Sequence, residues 1–161
     1  MPTTCLTEVS PNNFCISDYL FEKQITFLEE NSKESVLLEL VELLDKENLL
    51  KDKHHFYHLI LAREKIVSTG IGMGIAVPHA KTSSYDNFFV AIGIHSKGIV
   101  WDAIDGVLVR LIFMIGGPED QQITYLQLLS KLTSALKDDD RRKLLLGAQN
   151  KKDVIKLFSG I

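Results

Sequence analysis

Cysteine is scarce, there is no excess of positive charge, and no long apolar run occurs, and each shortage sets aside a class of function. The two cysteines, Cys5 and Cys15, sit in a polar N-terminal stretch with no metal-ligand or catalytic partner at a useful spacing, which fits a reduced cytoplasmic setting. Lys and Arg number 18 against 21 Asp and Glu, a formal net charge of −3. Nucleic acid and anionic lipid both call for a clustered cationic excess, so neither is an expected partner. The longest apolar run, Val107 to Ile115, is broken by Arg110, and the opening residues MPTTCLTEVSPNN have neither a positive n-region nor an apolar h-region. Neither membrane insertion nor export is expected. Internal repeats and low-complexity tracts are missing as well.

What remains is 45% hydrophobic residues in 161, enough for one sizeable core and too few for two ordinary domains. Residues 1–13, rich in Thr, Pro, Ser and Asn, read as a tail, and a domain is expected over 14–161. A short strand is predicted at Gln24 to Leu28. Asn31 and Ser32 then offer caps to a helix whose stripe is Val36, Leu37, Leu40, Val41 and Leu44. A second helix should start after Asp52, carry Phe56, Leu59 and Ile60 on one face, and end around Arg63 to Ile66.

From Gly70 onward the texture is β-rich, with strands predicted at Ile75 to Val77, Phe88 to His95 and Val107 to Ile115. The last third turns helical: Pro118, Glu119 and Asp120 suit a first turn, and Tyr125, Leu129, Leu132 and Leu136 keep one face. Two shorter helices, Arg141 to Ala148 and Lys151 to Phe158, follow the acidic run at 138–140 and Asn150. The consistent fold class is α/β, a mixed sheet flanked by helices.

The stretch with chemical content is STGIGMGIAVPHAK, Ser68 to Lys81. Gly70, Gly72 and Gly74 allow close backbone approach and leave amides uncovered, which suits a small anion such as phosphate, and the Ser68 and Thr69 hydroxyls can add donors. A dinucleotide-binding loop is disfavoured, because that motif opens a helix and Pro78 follows Gly74 by four residues. A turn without a ligand is the competing reading. His79, next to a rigid proline at the end of a strand, is a candidate nucleophile, since a neutral imidazole nitrogen keeps its lone pair near neutral pH. His54 and His58 are four apart on a helix, but nothing completes a metal set and HExxH is absent, so no metal and no cofactor are expected. His95 stays open between a surface position and one near the pocket. Trp101 reads as core, with Asp102 and Asp105 at turns.

STGIGMGIAVPHAK resembles the active-site signature of enzyme IIA domains of the fructose and mannitol type in the bacterial phosphoenolpyruvate-dependent phosphotransferase system. ISDYL at 16–20, LAREKIVSTGIG at 61–72, GIVWDAIDGVLVRLIFMI at 98–115 and PEDQQITYLQLLSKLTSAL at 118–136 are similar to the family in the same order, so the resemblance spans roughly residues 14–161. It implies an α/β sandwich in which His79 accepts a phosphoryl group from the histidine-containing phosphocarrier protein and holds it as phosphohistidine. Arg63 falls at the family's arginine, and a guanidinium suits the charge on phosphoryl oxygens.

At the place of the family's second active-site histidine this sequence has Tyr125, followed by Leu126. A phenol can donate one hydrogen bond but cannot become cationic, so onward donation is put in question more than acceptance. The motif looks nearer the nitrogen-regulatory branch than the mannitol branch, and no IIB or membrane segment stands within these residues, so a regulatory phosphocarrier with a protein target is expected. The alternatives are a sugar-system component passing phosphate to a IIB domain, and an unphosphorylated docking module of the same fold.

Overall fold

The computed structural model describes residues 14–161; the expected tail, 1–13, lies outside them. Two short 3-10 turns, Ile16–Tyr19 and Glu22–Gln24, lead into β1, Ile25–Phe27. Helix α1, Lys33–Lys46, starts where Ser32 accepts the Ser35 amide and Ser35 returns a bond to the Ser32 amide, a reciprocal cap. Its stripe of Val36, Leu37, Leu40, Val41 and Leu44 is buried as the period required. Helix α2, Lys53–Ile66, is capped by Asp52, whose side chain accepts the His55 amide.

The glycine-rich region forms three short strands, β2 (Gly70–Gly72), β3 (Ile75–Ala76) and β4 (His79–Thr82), and two long ones follow, β5 (Phe89–Ile99) and β6 (Val109–Pro118). Three helices close the chain: α3 (Gln122–Leu136), α4 (Asp139–Leu146, capped by Asp138) and α5 (Lys151–Lys156, capped by Asn150). The sheet is mixed, in the order β1-β5-β6-β3-β2, with β4 also on β6. β5 and β6 are antiparallel, whereas β1, β3 and β4 run parallel to their neighbours.

Alternation along the strands divides the core in two. Ile75, Val77, Val90, Ile92, Leu111, Phe113 and Ile115 pack with α3, α4 and α5, while Ala76, Ala80, Ala91, Ile112 and Met114 pack with α1 and α2. Trp101 belongs to the second cluster, as its sequence context led one to expect.

Two expectations are corrected. Pro118 does not open a helix: it pairs with Thr82 as the last residue of β6, and α3 begins only at Gln122. A proline fits either a first helical turn or a strand end, and the parallel partner β4, invisible to local pattern, decides. His79 does not end a strand but opens one. β3 and β4 lie along the same side of β6, at Leu111 and Ile112 and then at Ile115 to Pro118, with Val77 and Pro78 between them. Pro78 has no N–H for the ladder, so the strand breaks there and resumes at His79, while the Pro78 carbonyl still accepts the Ile115 amide at 2.9 Å.

Candidate functional site

The restart after Pro78 sets the orientation of everything nearby. His79 and Lys81 are two apart on β4 and so project to the same side, while Ala80 turns inward against the α1 and α2 core. Among the described residues β4 has a strand partner only on β6, which leaves its other edge open toward the C-terminal end of α2. Leu59, Ala62, Arg63 and Ile66 of α2 and His79, Ala80 and Lys81 of β4 line a depression of about 330 Å³ there.

His79 is half-buried in that depression, and its Nδ1 lies 3.0 Å from the Val77 carbonyl oxygen. A carbonyl only accepts, so Nδ1 carries the proton and Nε2 keeps a lone pair. Burial pushes the His79 pKa below the ordinary imidazole value of 6.5; the Val77 contact opposes this, the Arg63 and Lys81 charges add to it, and Glu64 acts weakly the other way. The ring is therefore neutral at neutral pH.

Arg63 reaches back from the last turn of α2 to donate from Nη1 to the Val67 carbonyl at 2.8 Å, which anchors the guanidinium at the rim of the depression. Tyr125 comes from α3: its ring centroid is 5.6 Å from that of His79 and 6.1 Å from that of Phe88, and the residue is 6% exposed. Burial raises its pKa, with Arg63 pulling the other way, so the phenol is uncharged at neutral pH. His79, Arg63 and Tyr125 are thus brought together.

The Ser68 and Thr69 hydroxyls, expected as phosphate donors, have partners within the fold. Ser68 donates its hydroxyl to the Trp101 carbonyl at 2.9 Å and receives the Gly70 amide, and Thr69 donates its hydroxyl to Glu64 Oε2 at 2.5 Å. Gly70, Gly72 and Gly74 face the segment 103–108: a Cβ on Gly70 would stand 2.8 Å from that of Ala103, and one on Gly74 3.3 Å from the Leu108 carbonyl. The close backbone approach that the glycines permit is to the protein's own chain. Only Gly72 and Gly74 also need positive φ, +92° and +76°. The Met73 amide between them donates to Asp105 at 2.9 Å. The Ser68 and Thr69 hydroxyls and the Thr69, Gly70 and Met73 amides thus have partners within the fold.

Two functional neighbours escaped sequence reasoning. Lys81, part of the motif but not singled out, places Nζ 4.0 Å from the centre of the Tyr125 ring and donates to Gln122 Oε1 at 2.8 Å. Its i+2 spacing from His79 on a strand was the signal available. Glu64, next to Arg63, is 8% exposed and accepts from the Thr69 amide (2.9 Å), the Trp101 Nε1 (2.8 Å) and Lys33 Nζ (2.8 Å). This buried carboxylate ties the end of α2 to Thr69 just before β2, to Trp101 and, through Lys33, to α1.

The remaining histidines are placed elsewhere. His54, His55 and His58 are exposed on the first turns of α2. His95 is buried, with Nε2 donating to the Glu30 carbonyl and Nδ1 accepting the Lys97 and Gly98 amides, and so serves the fold.

A half-buried neutral imidazole beside a fixed guanidinium, on this sheet order, has a counterpart among known proteins. Residues 18–160 match the family described as phosphoenolpyruvate-dependent sugar phosphotransferase system, EIIA 2. The chain belongs to that family. This EIIA chain is 39% identical over 132 residues to the fructose-specific EIIABC component of Bacillus subtilis, a match covering 82% of the chain but only 21% of that longer protein. Identity to the nitrogen regulatory protein of Escherichia coli is 34% over 125 residues, 76% of each. The crystal structure of nitrogen regulatory protein IIA-Ntr from Neisseria meningitidis superposes on the EIIA fold with a TM-score of 0.83 at 29% identity, over 89% of this chain and 99% of that one. The mixed sheet with flanking helices is therefore the EIIA fold. No helix of the described residues is long and apolar enough to cross a membrane.

Proposed function

We propose that the protein is a phosphocarrier whose His79 accepts a phosphoryl group on Nε2 from the histidine-containing phosphocarrier protein, and whose phosphorylation state is read by a protein target in the cytoplasm. The observation that carries this reading is the bond from Nδ1 to the Val77 carbonyl. It fixes one tautomer and aims the nucleophilic nitrogen away from the strand before any donor arrives.

The transfer is a displacement at phosphorus. The Nε2 lone pair forms the new N–P bond as the bond to the donor's ring nitrogen breaks and its electron pair returns to that ring. Nδ1 keeps its proton throughout, and the Val77 carbonyl stabilises the ring as it gains positive character. Arg63, held at the rim, faces the phosphoryl oxygens with two donors in a plane. No metal is required by this scheme, because charge is balanced by side chains.

A regulatory role is favoured by Tyr125. A phenol with a raised pKa cannot act as a proton-switched cation beside the phosphoryl group, which suits a phosphate that is held more than one handed on. The second reading, donation to a IIB domain, draws on the 39% identity to a fructose-specific EIIABC component.

Incubation with enzyme I, the phosphocarrier protein and labelled phosphoenolpyruvate tests the acceptor step. Label that is stable in base, labile in acid and lost in His79→Ala supports the relay. No label with active partners leaves the docking module. Chase of the label onto a IIB domain within seconds would favour the sugar reading over the regulatory one.

A further inference from the structure

Lys81, beside His79 on β4, has a geometry that its own strand does not need. A lysine at a sheet edge normally extends into water, its ammonium fully hydrated. Here Nζ is folded back over the Tyr125 ring, 4.0 Å from the centroid, and steadied by Gln122 Oε1 at 2.8 Å. Among the described residues no carboxylate lies within ion-pair distance of it. A charge-compensating anion is the partner this ammonium lacks.

We infer that Lys81 is a catalytic cation of this site, an ammonium stored on the Tyr125 ring that grips the phosphoryl group on His79 from the side opposite Arg63. The inference rests on the phosphocarrier reading only in taking His79 as the phosphorylated residue.

Three observations carry it. Strand geometry puts Lys81 on the same side of β4 as His79, and both line the depression that Arg63 closes from α2. The His79 and Tyr125 rings are neighbours at 5.6 Å, and the ammonium lies 4.0 Å from the centre of the second ring. Lys81 also contributes, after Arg63, to holding the His79 pKa down, which places its charge within electrostatic reach of the ring.

The arrangement assigns Tyr125 a job that does not use its hydroxyl, for which no hydrogen-bond partner occurs among the described residues. The ring face attracts a cation through its quadrupole, weakly enough that a dianionic phosphoryl group can draw the ammonium off.

Phosphoramidate, a small phosphoryl donor, separates this role from protein docking. In the transfer the P–N bond of the donor breaks, ammonia leaves with the electron pair after protonation by water, and Nε2 of His79 supplies the new bond. The full chain and its Lys81→Met, Lys81→Arg and Tyr125→Leu variants would be labelled, with the phosphohistidine followed by phosphorus NMR under basic conditions.

The expected result is a rate or half-life of phosphohistidine lower by roughly 10-fold in Lys81→Met and within about 3-fold of the parent in Lys81→Arg, as a charge-assisted contact predicts. Tyr125→Leu, if it folds, should reproduce the Lys81→Met loss and add nothing on top of it. Lys81→Met equal to the parent overturns the inference, as does a loss that arginine fails to restore. The two readings fail separately. Lys81-dependent labelling by phosphoramidate with no label from the protein relay would remove the relay and keep Lys81, and relay labelling indifferent to Lys81 would do the reverse. No labelling of His79 by either donor removes both.

Discussion

His79 Nδ1 and the Val77 carbonyl oxygen, two residues apart across Pro78, stand 3.0 Å from each other. The contact spans the interruption between β3 and β4, so the break that proline imposes on the strand also sets the tautomer of the histidine. Nδ1 is thereby a donor, and the free lone pair belongs to Nε2.

The pH dependence follows from the sign of the His79 shift. Burial lowers its pKa below 6.5, and the Arg63 and Lys81 charges act in the same direction against the Val77 contact and Glu64. The neutral, nucleophilic form therefore persists to a lower pH than in free imidazole, and phosphoryl acceptance should fall at a lower pH than an unshifted imidazole would give. Because the folded pKa lies under the unfolded one, the linked stability is complete above the unfolded value and is lost as pH falls. A ring-proton NMR titration checks both, and Lys81→Met should move the His79 midpoint upward.

Glu64 should matter more to stability than to chemistry. Its carboxylate is buried and accepts from Thr69, Trp101 and Lys33. Glu64→Ala strands those donors and should cost about 3 kcal/mol, read as a lower urea midpoint. Glu64→Gln, which keeps one acceptor oxygen, should cost less.

Gly70→Ala distinguishes packing from anion binding at the glycine-rich segment. The new methyl would meet Ala103 at 2.8 Å, so the variant should lose about 1–3 kcal/mol of stability. The labelling rate per folded molecule should match the parent. A selective loss of phosphorylation with unchanged stability would restore the cradle role to this glycine.

Much of the fold was legible because the relevant signals are local. Ser32 and Asp52 cap α1 and α2 by side-chain bonds to residues three ahead, and the stripe from Val36 to Leu44 repeats at helical period. Pro118 was misread because its conformation suits two roles, and the choice between them rests on pairing with Thr82, 36 positions away along the chain. The same limit separates the site residues. His79 and Arg63 stood out through their motif, whereas Glu64 shows its importance only once Trp101 and Thr69 are folded onto it. The glycines were read as open to a ligand, and only the path of residues 103–108 reveals that the chain itself fills the space.

Tyr125 stands where the resemblance led one to expect a second histidine, and its geometry gives that exchange a testable consequence. Tyr125→His places an imidazole within reach of the same phosphoryl group and replaces the ring on which Lys81 is seated. Phosphohistidine lifetime in that variant should become pH-dependent between pH 6 and 8, about the range in which imidazole titrates, while the parent's dependence over the same interval stays shallow. Parallel decay curves for the two proteins would contradict this.

The most direct test of the central claim is the position of the phosphoryl group after exposure to enzyme I, the histidine-containing phosphocarrier protein and phosphoenolpyruvate. Phosphorus NMR and non-acidic mass spectrometry should find it on Nε2 of His79 and nowhere in His79→Ala. A group on Nδ1, a group on another residue, or an unmodified protein beside a fully phosphorylated donor would contradict the account.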